Sequence, residues 1–318
     1  MTRTPFLCNN RNGVFLSIMK ISSFFYFFNF AVKTMVFKQK KPILGTIIVT
    51  DKCNLSCKHC AVNNITGIIN PYENIQKEMV MLYNMGVRIL FFCGGETFMW
   101  KDGDKTLRDL VIEAKKMGFL DVVVVTNGTF PLDLPEADLI LLSMDGGKEK
   151  HNQIRGDTHD LIMQNIRSAS SDNICLYMAV NNINLDNIET VTTIARDEKN
   201  IRAVSFNLHT PYAGTENLML TRDQKNAAVQ TISRLIDEGY PVFNLKSALP
   251  YIAANKFPTS CYQCVVVENG KVFTCGRCIE EKGLCEQCGY LFVGEYTLMF
   301  NGNLRIAFDM LKTYLKYI

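Results

Sequence analysis

The chain reads as an α/β protein: a partial (β/α)6 barrel of the TIM type with a small cysteine-rich extension on its C-terminal side. Three observations lead there. Six short apolar runs alternate with helical-looking segments between residues 42 and 240. The runs are continuously apolar rather than alternating, as strands covered on both faces of a parallel sheet require. Six such units are too few for a closed eight-stranded barrel, and after Tyr240 the character changes to a cysteine-rich stretch at 261–288. The division expected is an apolar, amphipathic segment (1–41), a barrel (42–240) and the extension with a terminal helix (241–318).

The first segment is dense in apolar and aromatic groups from Val14 to Phe37. A membrane span needs about 20 predominantly apolar residues, and Lys20 and Lys33 leave too few between them. No small-residue cleavage site follows, and the next run is Lys38-Gln39-Lys40-Lys41, so a secretory signal is not expected. Ile18, Ile21, Phe25, Phe28 and Val32 fall near one helical face. That face either packs on the rest of the protein or lies in a membrane interface. Translation starting at Met19 or Met35 is a third possibility.

The strands expected next are Ile43–Val49, Val87–Phe92, Val122–Val125, Leu139–Leu142, Ile174–Val180 and Val204–Leu208. The first helix has Asn70 to cap it, Pro71 for its first position and Glu73 to complete the box. Others are expected over Lys105–Met117, His159–Ser168 and Leu185–Asp197, with Asn184 as a cap. Thr221-Arg222-Asp223-Gln224 opens the sixth, which ends near Gly239. Asn269-Gly270 is a hairpin turn whose arms bring Cys264 and Cys275 together. Asn303 to Ile318 has the pattern of an amphipathic terminal helix.

With 47% hydrophobic residues in 318, the chain can bury a sizeable core. A net charge of +3 without a long basic run gives no reason to expect nucleic acid. Twelve cysteines grouped in CxxC and CxxxCxxC units read as metal ligands in a reducing, cytoplasmic setting. The membrane surface is the alternative location that the first segment leaves open.

Cys53, Cys57 and Cys60 follow the first strand in the run Thr50-Asp51-Lys52-Cys53-Asn54-Leu55-Ser56-Cys57-Lys58-His59-Cys60. A structural iron–sulfur cluster or zinc site normally takes four ligands. Three thiolates hold three corners of a cubane cluster and leave the fourth iron open. His59 lies between two of them, where a tight loop is expected to turn it outward over the cluster. The CxxxCxxC spacing resembles the CxxxCxΦC motif of the radical S-adenosylmethionine (radical SAM) superfamily, with His59 at the aromatic position. The resemblance implies that Cys53, Cys57 and Cys60 hold a [4Fe–4S] cluster whose open iron chelates the methionine end of SAM. It further implies oxygen sensitivity, and an electron donor such as ferredoxin or flavodoxin.

Ligands of a parallel α/β fold collect at the carboxyl ends of the strands. There the second strand ends Cys93-Gly94-Gly95-Glu96-Thr97, similar to the family's GGEP with threonine for proline. The resemblance implies that Gly94, Gly95 and Glu96 bind the methionine ammonium. Asn127 lies in a TNG like that of the family. Ser143 and Asp145 resemble its SxDG, where hydroxyl and carboxylate suit a ribose diol or the methionine carboxylate's water shell. His151 and Arg155 resemble the HxxxRG that follows; Arg155 either pairs Asp145 or binds a carboxylate or phosphate. His209 and Tyr212 end the sixth strand and are expected at the barrel mouth.

The later cysteines, Cys261, Cys264, Cys275, Cys278, Cys285 and Cys288, resemble the SPASM and shorter Twitch extensions of the same superfamily. One auxiliary [4Fe–4S] cluster is implied, held by four of the six, with a zinc site as the alternative. Cys8, Cys93 and Cys175 are expected in neither site. The function implied is reductive cleavage of SAM to a 5′-deoxyadenosyl radical. The apolar N-terminal segment and tail suggest a small-molecule or lipid substrate such as an isoprenoid, with peripheral membrane contact. Modification of a ribosomally made peptide is the alternative, and a non-catalytic iron–sulfur or zinc protein a third.

Overall fold

The computed structural model describes residues 25–60, 66–258 and 261–317, and the chain divides into two compact units, Met1–Lys40 and Lys41–Ile318. In the first unit residues 25–31 are helical and run into a wider π turn, Val32–Val36. The Thr34 hydroxyl donates back to the Phe30 carbonyl at 2.8 Å. On the expected apolar face, Phe25 and Phe28 are exposed and Val32 is half-buried; Ile18 and Ile21 lie outside the described residues. Among the described residues no helix is long and apolar enough to cross a membrane.

The second unit is organised by a sheet. Its first six strands are β1 (Leu44–Thr50), β2 (Ile89–Gly94), β3 (Asp121–Thr126), β4 (Leu139–Ser143), β5 (Ile174–Val180) and β6 (Ile201–Leu208). They are parallel neighbours in chain order, in registers such as Leu44 opposite Ile89 and Leu142 opposite Leu176. The sheet stays open, as expected of six units. Its β1 edge is extended by β7 (Cys264–Glu268), parallel to β1, and β8 (Lys271–Thr274), antiparallel to β7, which makes eight strands. Burial of consecutive residues in β1 (Ile47, Ile48, Val49), β3 (Val122, Val123, Val124) and β5 (Ile174, Cys175, Leu176) marks strands covered on both faces.

The helices follow the strands. They are α1 (Tyr72–Met85), α2 (Leu107–Met117), α3 (Lys148–Arg155), α4 (His159–Ser168), α5 (Ile188–Asp197) and α6 (Arg222–Asp237). After them come a short α7 (Leu249–Ala253), α8 (Leu291–Phe300) and α9 (Leu304–Tyr317). Helix α1 buries Ile75, Met79 and Leu82. Helix α6 opens at Thr221 as expected, and Thr221 and Gln224 form a capping box there. Near the other end of the strands, the Tyr314 hydroxyl of α9 reaches Asp121 at the start of β3, at 3.4 Å.

Two expected caps are replaced by tertiary contacts. Asn70 does not cap α1. Its side chain donates to Glu78 at 2.9 Å, and its carbonyl accepts from the Trp100 indole at 2.8 Å. Asn184 is fully buried and ties the Asp145 carbonyl (3.0 Å) to the end of β5. Leu185–Asn187 is a 3-10 turn before α5 begins. In both cases a buried partner competes with the local backbone for the amide, and burial makes that bond the more valuable one.

Candidate active site

The cysteine loop leaves β1 and is then stitched back along it. The Thr50 hydroxyl donates to the Ile68 carbonyl at 2.8 Å, and Asn70 N donates to Val49 O at 2.9 Å. Asp51 accepts from the Thr66 hydroxyl at 2.7 Å. Lys58 N, in the middle of the motif, donates to the Ile154 carbonyl of α3 at 3.0 Å. Cys53, Cys57 and Cys60 are all half-buried on this loop.

Gly94 and Gly95 lock the loop to the end of β2. Gly95 N donates to Thr50 O and Glu96 N to Lys52 O, both at 2.8 Å. A Cβ on Gly94, at φ +147°, would lie 1.9 Å from the Thr50 carbonyl oxygen, and one on Gly95 2.1 Å from that of Lys52. Only glycine permits two backbones this close. Glu96 is fully buried and accepts from Thr126 Oγ1 (2.7 Å), Asn127 N (2.7 Å) and Phe98 N (3.0 Å). Three of the roughly four acceptor positions of a carboxylate are thus taken by the ends of β2 and β3. Burial raises its pKa, and these donors work against that. Thr97, which replaces the family's proline, is buried and donates its hydroxyl to Val125 O of β3 at 2.8 Å. A hydrogen bond holds this turn where a proline ring holds the family's.

Asn127 serves the loop directly. Its amide donates to Asn54 Oδ1 at 2.9 Å and approaches Cys53 Sγ at 3.7 Å, while its oxygen accepts from Thr129 at 2.7 Å. Leu55 N also points at Cys53 Sγ, at 3.5 Å.

The end of β4 supplies the charge. Asp145 is fully buried and accepts from Arg155 Nε at 2.5 Å and Ala179 N at 3.1 Å. Burial alone would raise its pKa; the Arg155 guanidinium beside it overrides this and holds the carboxyl below the usual range. Arg155 therefore pairs Asp145, and it also reaches Cys57 Sγ at 3.8 Å and His59 Nε2 at 3.2 Å. His151 accepts from Asp145 N through Nδ1 at 3.3 Å and donates from Nε2 to Thr158 at 3.1 Å, so it fixes this turn. Burial, with help from Arg155, pushes its pKa down to about 3, keeping it neutral. Ser143 is buried at the end of β4.

His59 does not turn outward as expected. It points inward, with Nε2 3.6 Å from Asp145 Oδ2. Desolvation brings its pKa down to about 4. Arg155 can only donate, so Nε2 accepts and Nδ1 carries the proton. That Nδ1 is buried and has no hydrogen-bond partner among the described residues. His209 is buried on its own loop, with Nε2 on the Thr215 carbonyl at 3.1 Å, and Tyr212 shares a 2.5 Å hydroxyl contact with Tyr290.

The donors around Cys53 and Cys57 suit thiolate ligands of an iron–sulfur cluster. Among the described residues no group of His, Cys, Asp and Glu is drawn tightly enough around one point to hold one metal. Burial raises the pKa of Cys53 and Cys57, with Arg155 opposing it at Cys57; cluster charge would complete their ionisation. N–H groups already aim at both sulfurs, the arrangement that tunes iron–sulfur ligands.

The comparisons with known proteins agree. The profile of the Radical SAM superfamily matches residues 47–196. These residues form a radical SAM domain. The Fe-coproporphyrin III synthase of Methanosarcina barkeri is 27% identical over 226 residues, 64% of this chain and 55% of that protein. The sporulation killing factor maturation protein SkfB of Bacillus subtilis is 28% identical over 179 residues, 52% of this chain and 42% of that one. The chain thus spans about half the length of these curated relatives. Streptococcus suis SuiB, solved with its precursor peptide SuiA, shares the fold with a TM-score of 0.59 at 13% identity, covering 84% of this chain and 67% of SuiB. The radical SAM family uses a [4Fe–4S] cluster and SAM.

A second cysteine site lies in the extension. The turn Asn269-Gly270 has both residues at positive φ, +50° and +75°, as a two-residue type I′ hairpin demands. Its arms pair Val265 with Thr274, and Cys275 N donates to Cys264 O at 2.9 Å. Cys261, Cys275, Cys285 and Cys288 line a single apolar cavity together with Thr210, Leu284 and Tyr290. Cys264 is not among its walls. It is buried, and its pKa is pushed far up by desolvation. The side chain of Cys278, like residue Cys8, lies outside what is described. Sequence reasoning found all of these cysteines but had no means of separating the four from the six, because CxxC spacing does not say which side of a strand a thiol takes.

Proposed function

We propose that the protein is a radical SAM enzyme that reductively cleaves SAM at a cluster held by Cys53, Cys57 and Cys60. The observation that carries this reading is the convergence of the four strand ends β1 to β4 on one three-cysteine loop with N–H donors aimed at its sulfurs. When bound, the cluster supplies the electron that splits SAM into methionine and a 5′-deoxyadenosyl radical. The chain's own residues do the rest. Asn127 and Leu55 N orient Cys53, and Arg155 orients Cys57 while neutralising Asp145. Glu96 keeps one acceptor position for the methionine ammonium, next to the backbone of Gly94 and Gly95. Ser143 and the neutral His59 Nδ1–H offer hydrogen bonds to the rest of SAM. Because the groups are buried and pre-oriented, little reorganisation accompanies the reaction.

The extension holds an auxiliary [4Fe–4S] cluster on Cys261, Cys275, Cys285 and Cys288 in this reading, since these four share one cavity. A peptide is the favoured substrate class. One relative is named for the maturation of a killing factor, and maturation acts on a product that is made first and modified afterwards. A lipid or isoprenoid is the second reading, favoured by the exposed apolar side chains of the first unit and of α9.

The test is anaerobic purification, an iron count and an assay for 5′-deoxyadenosine from SAM with a strong reductant. About eight irons and a nucleoside product are expected for two cubanes. Iron at full loading without nucleoside would sink the enzyme reading. About four irons would remove the auxiliary cluster.

A further inference from the structure

The outward face of α9 is apolar. Ile306 is fully buried, Tyr317 stacks near Phe243 with ring centroids 5.9 Å apart, and Tyr314 reaches Asp121. On the opposite side of the helix, Leu304 and Leu315 are each 73% exposed and Phe308 60%, with Leu311 completing the stripe. Spacings of four, three and four put these residues on one line along the helix. A surface helix normally turns charged residues outward, so the pattern here is inverted.

Charge identifies what the stripe meets. Arg305, Lys312 and Lys316 follow the stripe residues Leu304, Leu311 and Leu315 by one position, which places all three cations along one shoulder of the stripe. Among the described residues none of them forms an ion pair. The Lys312 ammonium lies over the Phe308 ring, 5.1 Å from its centre. The single acid of the helix, Asp309, is turned away and accepts from Ser247 N at 3.1 Å. An apolar line with cations at its shoulder is the pattern of helices lying in a lipid–water interface, where lysines keep their ammonium groups at the headgroups. Four side chains offer too little area for a stable protein interface, which buries ~1,200 Å² or more. Pairing two copies through this face would also bring like charges together.

We infer that the α9 face docks the protein on an anionic lipid surface. The exposed apolar groups then serve placement of the enzyme, whatever its substrate. The inference does not rest on the SAM chemistry.

The test is co-sedimentation of the full chain with phosphatidylcholine vesicles, with and without phosphatidylglycerol. Binding is expected on the anionic vesicles only, weakening as salt rises. Two paired variants, Phe308→Gln with Leu315→Gln and Lys312→Glu with Lys316→Glu, each lower the affinity by about tenfold or more. Both leave the circular dichroism and the 5′-deoxyadenosine assay unchanged, because the altered side chains face away from the protein. Absence of vesicle binding overturns the inference. So does binding that both variants leave intact, which would assign the lipid contact to another segment. A dimer that the apolar variant converts to monomer, with vesicle binding unaltered, overturns it in favour of a second copy.

Discussion

Arg155 is held by three partners at once, and the energetics of that arrangement are testable. It is 9% exposed, bonds the fully buried Asp145 at 2.5 Å, and also touches Cys57 and His59. A buried pair contributes little net stability compared with apolar residues, but removing one partner strands the other charge and costs about 3–5 kcal/mol. Arg155→Gln is therefore expected to destabilise the full chain by about that amount. Asp145→Asn in the same chain should recover more than half of the loss, because no charge is then left buried. Thermal unfolding of the two single variants and the double variant measures this; losses that simply add would show that the two side chains are not coupled. At this scale the sequence was most informative where residue type determines chemistry. The cysteine triplet and Gly94-Gly95 were legible from motif and strand position, whereas the pairing of Arg155 with Asp145 was one of two options that the sequence left open. The inward turn of His59 was not, since it depends on Arg155, 96 positions away. Asn70 and Asn184 were read as caps because only their local option is visible in a sequence.

Elements were legible in proportion to how strongly they patterned. The six barrel strands and α4 read true because continuous apolar runs and a clear amphipathic period are local properties. Helix α3 was missed: only His151 and Ile154 of its eight residues are buried, too few to set a period. Helix α8 was missed for the opposite reason, since Leu291, Val293, Leu298, Met299 and Phe300 are buried all around it and leave no polar face to reveal a helix. Within α8 sits Glu295, whose carboxylate accepts from Leu245 N at 2.9 Å and from Asn244 at 3.3 Å. Burial raises its pKa to about 7 from 4.5. The folded chain thus retains a proton that the unfolded chain releases between about 4.5 and about 7, and stability falls as pH rises through that window. A shift of this size amounts to about 3 kcal/mol above the window. Glu295→Gln keeps the accepting oxygen and removes the titration. It is expected to raise the melting temperature at about pH 8 and to change it little at about pH 5. An equal change at both pH values would rule the titration out.

At the scale of the whole molecule, the cysteine hairpin is part of the barrel's own sheet. Strand β7 pairs with β1 from Leu44 opposite Cys264 to Ile47 opposite Val267. Glu78 of α1 accepts from Gly270 N at the hairpin turn, at 2.9 Å, and from Asn70 at 2.9 Å on the segment returning from the cysteine loop. A pairing across more than two hundred residues has no local signature, so the sequence showed the hairpin but not its neighbour. The consequence is that strand pairing sorts the thiols. Cys264 is fixed in the ladder by its pairing with Leu44, while Cys261 and Cys275 flank the hairpin and reach the cavity that Cys285 and Cys288 also line. The two metal sites should then be separable by iron content. Cys285→Ala is expected to lower iron by about four per chain and leave SAM binding in place. Cys57→Ala is expected to lower iron by a similar amount and abolish SAM binding, because the remaining cluster has no open iron. Cys264→Ala keeps both clusters; its cost is a small cavity in the core, worth about 1 kcal/mol or somewhat more. Iron analysis with equilibrium SAM binding on the three variants decides the assignment. If Cys264→Ala loses as much iron as Cys285→Ala, the buried thiol is a ligand, and the four-cysteine cavity is not the site that holds the auxiliary cluster.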